Sequence, residues 1–352
     1  MQKSLDRGRG LCLLVGTGLT IAATGDPANS WPELIKRGAA ACEENGRRDH
    51  AWVERVAADV DTEELGDLLA AAEKVTYGLG GRRSGPFYEW LSETVGSLQP
   101  KHLKLLDQVK RVASHERVTV LTTNYDSLLS DHLGIRAVTW RAEPPVLEDA
   151  YVDHNRRAVI HIHGHWPEPS SVVFGAASYE SLRTDPHALV FLQQAFLANT
   201  VATVGVGAGL TDPTFRFLLD WAATALGQTR TILYFHVASA VVPTHPNVTP
   251  VPLSSHDELV ECLGQLKVTP ARPARGLDSA AAEEALSTAT LQRVRKLAHS
   301  DSPAREADRA RLFISIYRDE VDRVLDASAS SDHLAWAWAN RLNATWQALN
   351  EP

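Results

Sequence analysis

Cysteine is scarce: the 352-residue chain holds three, Cys12, Cys42 and Cys262, widely spaced and odd in number. Neither a disulfide framework nor a four-cysteine zinc site can be assembled within one chain from these, and no C-x-x-C pair occurs. Reduced, cytoplasmic residence is the expectation. Long apolar runs are also missing, and nothing reaches the roughly 20 residues of a membrane-spanning helix. Residues 11–23 are apolar behind a basic Met1–Arg9, but Gly16, Thr17, Gly18 and Thr20 break the run, so it reads as a strand and turn rather than a signal peptide. Positive charge is not in excess. The formal net charge is −8 without a long basic block, which disfavours non-specific duplex binding, and direct nucleic-acid binding is not indicated. There is no internal repeat, no low-complexity tract and no P-loop.

What is present is an ordinary globular composition, 44% hydrophobic and 22% charged, enough for a sizeable core. Short apolar runs read as strands at Leu11–Gly16, Val118–Thr122, Ala137–Trp140, Val159–Ile162, Val172–Phe174, Val201–Val206, Thr231–His236 and Val248–Pro252. Several are continuous rather than alternating, as in strands covered on both faces of a parallel sheet. Helical patterns fall between them at Trp31–Cys42, Thr62–Val75, Phe87–Val95, His102–Ala113, Asp185–Asn199, Asp212–Leu226 and Asp257–Leu266. The expected class is α/β: a Rossmann-like parallel sheet with a helical insertion, followed by a small C-terminal helical region. The expected boundaries are residues 1–268 for the sheet domain, 31–115 for the insertion within it, and 269–352 for the helical region beyond the Pro/Arg-rich linker Val268–Gly276. The insertion and the C-terminal helices, with Trp336, Trp338 and Trp346, are candidates for a lid and an assembly surface, or are ordinary core aromatics.

Chemistry concentrates where strands stop. In an open α/β sheet, ligands bind outside the carboxyl ends of the strands. VGTGLT breaks the first run, where Gly16 and Gly18 would let the backbone approach a phosphate and Thr17 or Thr20 could hydrogen-bond to it; a plain tight turn is the alternative. Thr122–Asp126, TTNYD, offers five consecutive polar side chains before a helix at Leu128. Asn124 or Asp126 could cap that helix, but together with two threonines they exceed what a cap needs. HIHGH places His161, His163 and His165 at alternate positions, which would share one side if the strand ran on. A metal cluster, a single general base at the strand end and histidines satisfied by backbone groups are the three readings. Gly164 argues that the strand ends there, and no nearby Asp or Glu completes a metal shell before Glu168, so the base ranks first and no metal is expected. Thr203–Pro213, TVGVGAGLTDP, ends a strand in Gly205, Gly207 and Gly209 and starts a helix at Asp212-Pro213, with Asp212 read as its cap.

These four elements in this order resemble the sirtuin-like NAD-hydrolysing domains of bacterial anti-phage defence proteins, over about residues 8–267. The resemblance implies that Gly16-Thr17-Gly18-Leu19-Thr20 contacts the NAD phosphates. It implies that Thr122–Asp126, including Thr123, holds the nicotinamide and its ribose, and that Gly207, Gly209 and Asp212 lie on the adenosine side. Asn124 would orient the ribose and an attacking water, Asp126 would anchor the carboxamide, and His163 would be the general base. NAD would thus be a substrate, cleaved to nicotinamide and ADP-ribose. The family commonly has Gly-Ala-Gly where this chain has Gly-Thr-Gly, and the two C-x-x-C pairs of the protein deacetylases are absent, which favours plain NAD cleavage. The resemblance further implies a regulated homo-oligomer, controlled by a separately encoded ATPase or nuclease partner or by a phage-derived activator. The alternatives are a non-catalytic NAD or ADP-ribose sensing or assembly subunit, and an NAD-dependent protein deacylase.

Overall fold

A computed structural model of the chain describes residues 1–6, 10–144, 146–147, 150, 157–207, 212–226, 232–237, 242 and 244–267. The expected C-terminal helices lie outside the described residues, as does Gly209. Seven strands form one sheet: β1 (Gly10–Val15), β2 (Val118–Thr122), β3 (Arg136–Thr139), β4 (Ala158–His161), β5 (Asn199–Val204), β6 (Ile232–Val237) and β7 (Val248–Leu253). Their order is β3-β4-β2-β1-β5-β6-β7 and every pairing is parallel, as the α/β reading expects. The whole sheet belongs to one compact unit, Met1–Asp220 with Thr231–Pro270.

The central strand shows why its sequence is continuously apolar. Successive residues of a strand point to opposite faces. Leu11, Leu13 and Val15 enter one core, with α2 (Thr17–Thr24), α7 (Lys104–Ala113), α8 (Leu128–Leu133) and α12 (His256–Gly264). Cys12 and Leu14 enter the other, with α10 (Pro186–Ala198) and α11 (Pro213–Leu226). Both layers exclude water from β1, and burial pushes the Cys12 thiol far above its ordinary range, so it is a core hydrophobe.

Between β1 and β2 the chain forms a third core from α3 (Trp31–Glu44), α4 (His50–Asp61), α5 (Leu65–Gly78), and α6 (Gly85–Leu91) with a π turn at Ser92–Gly96. Local signals start three of these helices: the side chains of Ser30, Asp49 and Ser84 accept from the backbone N–H three residues on. Phe174 plugs this helical layer onto the sheet domain, with its ring 5.3 Å from Trp90 and 6.4 Å from Tyr125. Val172–Phe174, expected as a strand, makes no ladder. Its apolar side chains are buried by the helical layer and by α9 (Ala176–Thr184) instead, so burial without sheet pairing produced the strand-like pattern. Among the described residues no helix is long and apolar enough to cross a membrane.

Candidate functional site

The chain leaves β1 toward β2 on one side, and β5 lies on the other, so the order reverses between β1 and β5. That is where open α/β sheets form a ligand crevice. Two glycine turns meet there. Gly16 N–H donates to the Val204 carbonyl (2.9 Å) and Gly18 N–H to the Gly205 carbonyl (2.8 Å). A Cβ on Gly16 would lie 2.6 Å from Val206 Cα, and one on Gly18 would lie 2.8 Å from Gly205 Cα. These two glycines therefore admit the backbone of the neighbouring loop, and their N–H groups are committed to it rather than open to a phosphate. Thr17 is the first residue of α2, where an N–H has no intrahelical acceptor, and it lines the crevice. Gly16 lies beneath the cavity wall.

The next layer comes from the polar residues after β2. Asn124 uses both amide hydrogens, donating to the Gly16 carbonyl (3.1 Å) and to Thr20 Oγ1 (2.9 Å). The Thr20 hydroxyl donates in turn to Asp126 Oδ2 (2.6 Å), and Asp126 Oδ1 accepts from the Leu128 N–H (3.0 Å). This network joins residues 106 apart in sequence. It fixes the amide so that Asn124 Oδ1, buried and without a hydrogen-bond partner, is the group left over. Burial raises the Asp126 carboxyl above its ordinary range, opposed by the Thr20 hydroxyl and the Leu128 and Asp126 backbone donors. Asp126 thus caps α8 and also closes the network.

The three histidines do not share one side. β4 ends at His161, and Gly164 takes φ +89, where a Cβ would strike the Ser171 carbonyl. His161 and His165 turn to each other, rings 4.3 Å apart. His161 Nδ1 donates to the Asn124 carbonyl (2.9 Å), and His165 Nε2 meets Ser127 Oγ (2.8 Å), which also accepts from Trp166 Nε1 (3.0 Å). His163 faces elsewhere, edge-on to Tyr179 (5.4 Å) and 6.1 Å from Phe215. Glu168 accepts from Thr139 (2.9 Å). A shared metal shell is therefore not what the spacing builds.

Burial holds all three imidazoles neutral, with His161 pushed down to about 3 and His165 to about 4, while His163 is lowered by burial against the pull of Asp212. A histidine whose folded pKa lies below its unfolded value of about 6.5 contributes stability above that value and loses it as pH falls. His161 and His165 together should make stability fall with acid from about pH 6.5 toward 4, by up to about 1.4 kcal/mol per pH unit for each. Urea unfolding at intervals across that range checks this. His165→Gln should flatten the slope, and an equal slope in the variant would refute the assignment.

Thr17, Gly18, Thr20, Thr123, Asn124, Asp126, His163, Gly207 and Asp212 all line one cavity of about 1020 Å³. Its other walls are the helical insertion, with Trp31, Leu34 and Leu68, and a polar end with Lys101, His102 and His256. A family model described as a SIR2-like domain matches residues 118–249, which hold TTNYD, HIHG and the second glycine turn. The chain carries a sirtuin-like domain. The match begins at β2, and the fold adds β1 and its Gly16–Thr20 turn to the same crevice. The cavity is also lined by residues that the motifs did not single out. Tyr179 packs edge-on against His163, and Asp212 stands 3.7 Å from His163 while capping α11 through the Thr214 N–H (2.8 Å). Tyr179, the adjacent Lys101 and His102, and His256 arrive from three separate segments, so no local spacing announces them.

Proposed function

We propose that the sirtuin-like domain is an NAD+ glycohydrolase, converting NAD+ and water to nicotinamide, ADP-ribose and a proton. One observation carries the reading: a fixed amide whose buried Oδ1 lacks a partner, Asn124, shares a dinucleotide-sized cavity with a buried neutral imidazole, His163. Cleavage of the nicotinamide–ribose bond develops positive charge on the ribose. A preoriented carbonyl dipole aimed at that charge costs no reorganisation when the bond breaks. Asn124 Oδ1 is such a dipole, locked by Gly16 and Thr20, and it also accepts from an attacking water or a ribose hydroxyl. His163 takes the proton released there, as a neutral imidazole can at neutral pH. Asp126 accepts from the carboxamide of the leaving nicotinamide while Thr20 holds its other oxygen. Thr17 and Thr123 offer hydroxyl donors on the cavity wall, and Lys101 lines the same cavity, where its side chain can meet a pyrophosphate.

Nicotinamide release from NAD+ by purified protein, with calorimetric NAD+ binding in parallel, tests this. Release across a concentration series supports hydrolysis, and a steepening series supports assembly as the control. Binding without release would replace the proposal with a sensing module, and release that needs an acylated peptide would replace it with a deacylase. A regulated effector in anti-phage defence is the setting we propose from the sequence resemblance; protection of phage-challenged cells that disappears with His163→Ala would support it.

A further inference from the structure

Asp212 is 8% exposed, yet its carboxylate carries more than a helix start demands. Oδ1 accepts from the N–H groups of Thr214 (2.8 Å) and Phe215 (3.4 Å), so the carboxylate already satisfies the start of the helix. Asparagine or serine caps a helix as well, without burying a charge. What an asparagine would not supply is negative charge beside His163, whose Nε2 lies 3.7 Å from Asp212 Oδ1, is enclosed, and has no hydrogen-bond partner. Tyr179 and Phe215 flank the imidazole, so its plane is set by α9 and by the helix that Asp212 starts.

We infer that Asp212 is a positioning residue for His163: it keeps the proton on Nε2, makes Nδ1 the basic nitrogen toward the cavity, and stabilises the imidazolium formed when Nδ1 takes a proton. The inference deepens the hydrolase reading and rests on it for its catalytic meaning. The titratable groups around His163 are Asp212 at the start of α11, Tyr179 on α9 and Tyr125 after β2. Both phenols stay protonated, raised by burial and by the Asp212 charge. Asp212 is the group that lifts His163 against its burial.

The test is histidine-selective ¹⁵N NMR of the full chain, read across pH, beside pH profiles of nicotinamide release. Asp212→Asn keeps a capping side chain and removes the charge. It should shift His163 toward the Nδ1–H tautomer, lower its pKa, move the acid limb of turnover to lower pH and reduce kcat about 10²-fold or more. Asp212→Ser also keeps a capping side chain without the charge and should move the tautomer and pKa in the same direction, which covers the case of an Asp212→Asn variant that does not fold. An unchanged tautomer and pKa in both variants would overturn the inference. Because tautomer and pKa are read without turnover, a wild-type protein that releases no nicotinamide but shows these shifts would sink the hydrolase reading and leave the pairing standing.

Discussion

His163→Ala should lower nicotinamide release about 10²- to 10⁴-fold, the range for losing a positioned general base. The neighbouring histidines give the prediction its specificity. His161 is tied to the Asn124 carbonyl and His165 to Ser127, their rings 4.3 Å apart and tilted to each other, whereas His163 is the one of the three that lines the cavity. His165→Gln should therefore leave turnover near wild type. His163 Nε2 makes no hydrogen bond, so its removal orphans no buried partner and the fold should survive with only a packing loss. NAD+ binding should persist in the variant, because the remaining lining residues keep their places. The measurement is kcat and calorimetric Kd side by side. Near-wild-type turnover would remove His163 from the mechanism, and lost binding with intact kcat would make it a ligand contact only.

Gly205→Ala should be the most destabilising single change in the crevice. Gly205 takes φ +64, and a Cβ there would sit 2.6 Å from the Leu19 N and 2.8 Å from Gly18 C, backbone atoms of the facing turn. Left-handed strain and overpacking against backbone each cost about 1–3 kcal/mol, so a loss of about 2–6 kcal/mol is expected. The effect reaches the site, because parting the two turns moves Gly16 and Thr20, the groups that fix Asn124. Affinity for NAD+ should fall along with Tm. Gly46→Ala supplies the control: Gly46 has φ +66 but nothing within 4 Å of a Cβ, so it should cost only about 1–2 kcal/mol and leave binding intact. Equal losses at the two positions, by urea unfolding, would show that the interlock of the turns contributes nothing.

The fold was legible where burial on both faces leaves a continuous apolar run that stops at polar residues, as at Val118–Thr122 and Leu11–Val15. It was less legible where burial is thin. The helix His50–Asp61 buries only Val56 and Val60, two positions that make no recognisable stripe. Val172–Phe174 misled in the opposite direction, being fully buried without a ladder. Of the site, the strand ends could be read because small and polar residues cluster there. Which neighbour each residue meets could not. Gly16 and Gly18 are small because another loop passes over them, and Asp212 meets His163 across two elements 49 residues apart in the chain. Contacts of that kind belong to tertiary packing and leave no spacing in sequence.

The position of β1 bears on how this protein must fold. It lies between β2 and β5, so a fragment beginning at Val118 would hold most of the sheet with a strand-wide gap in its centre. Two inner edges would stand unpaired and apolar, which is the condition for sticking to other chains. Closing the gap requires the first strand to wait for partners made about a hundred residues later, a high contact order that slows folding. On a ribosome, the helical insertion emerges in that interval and can condense first around its own local contacts, before the neighbours of the first strand arrive.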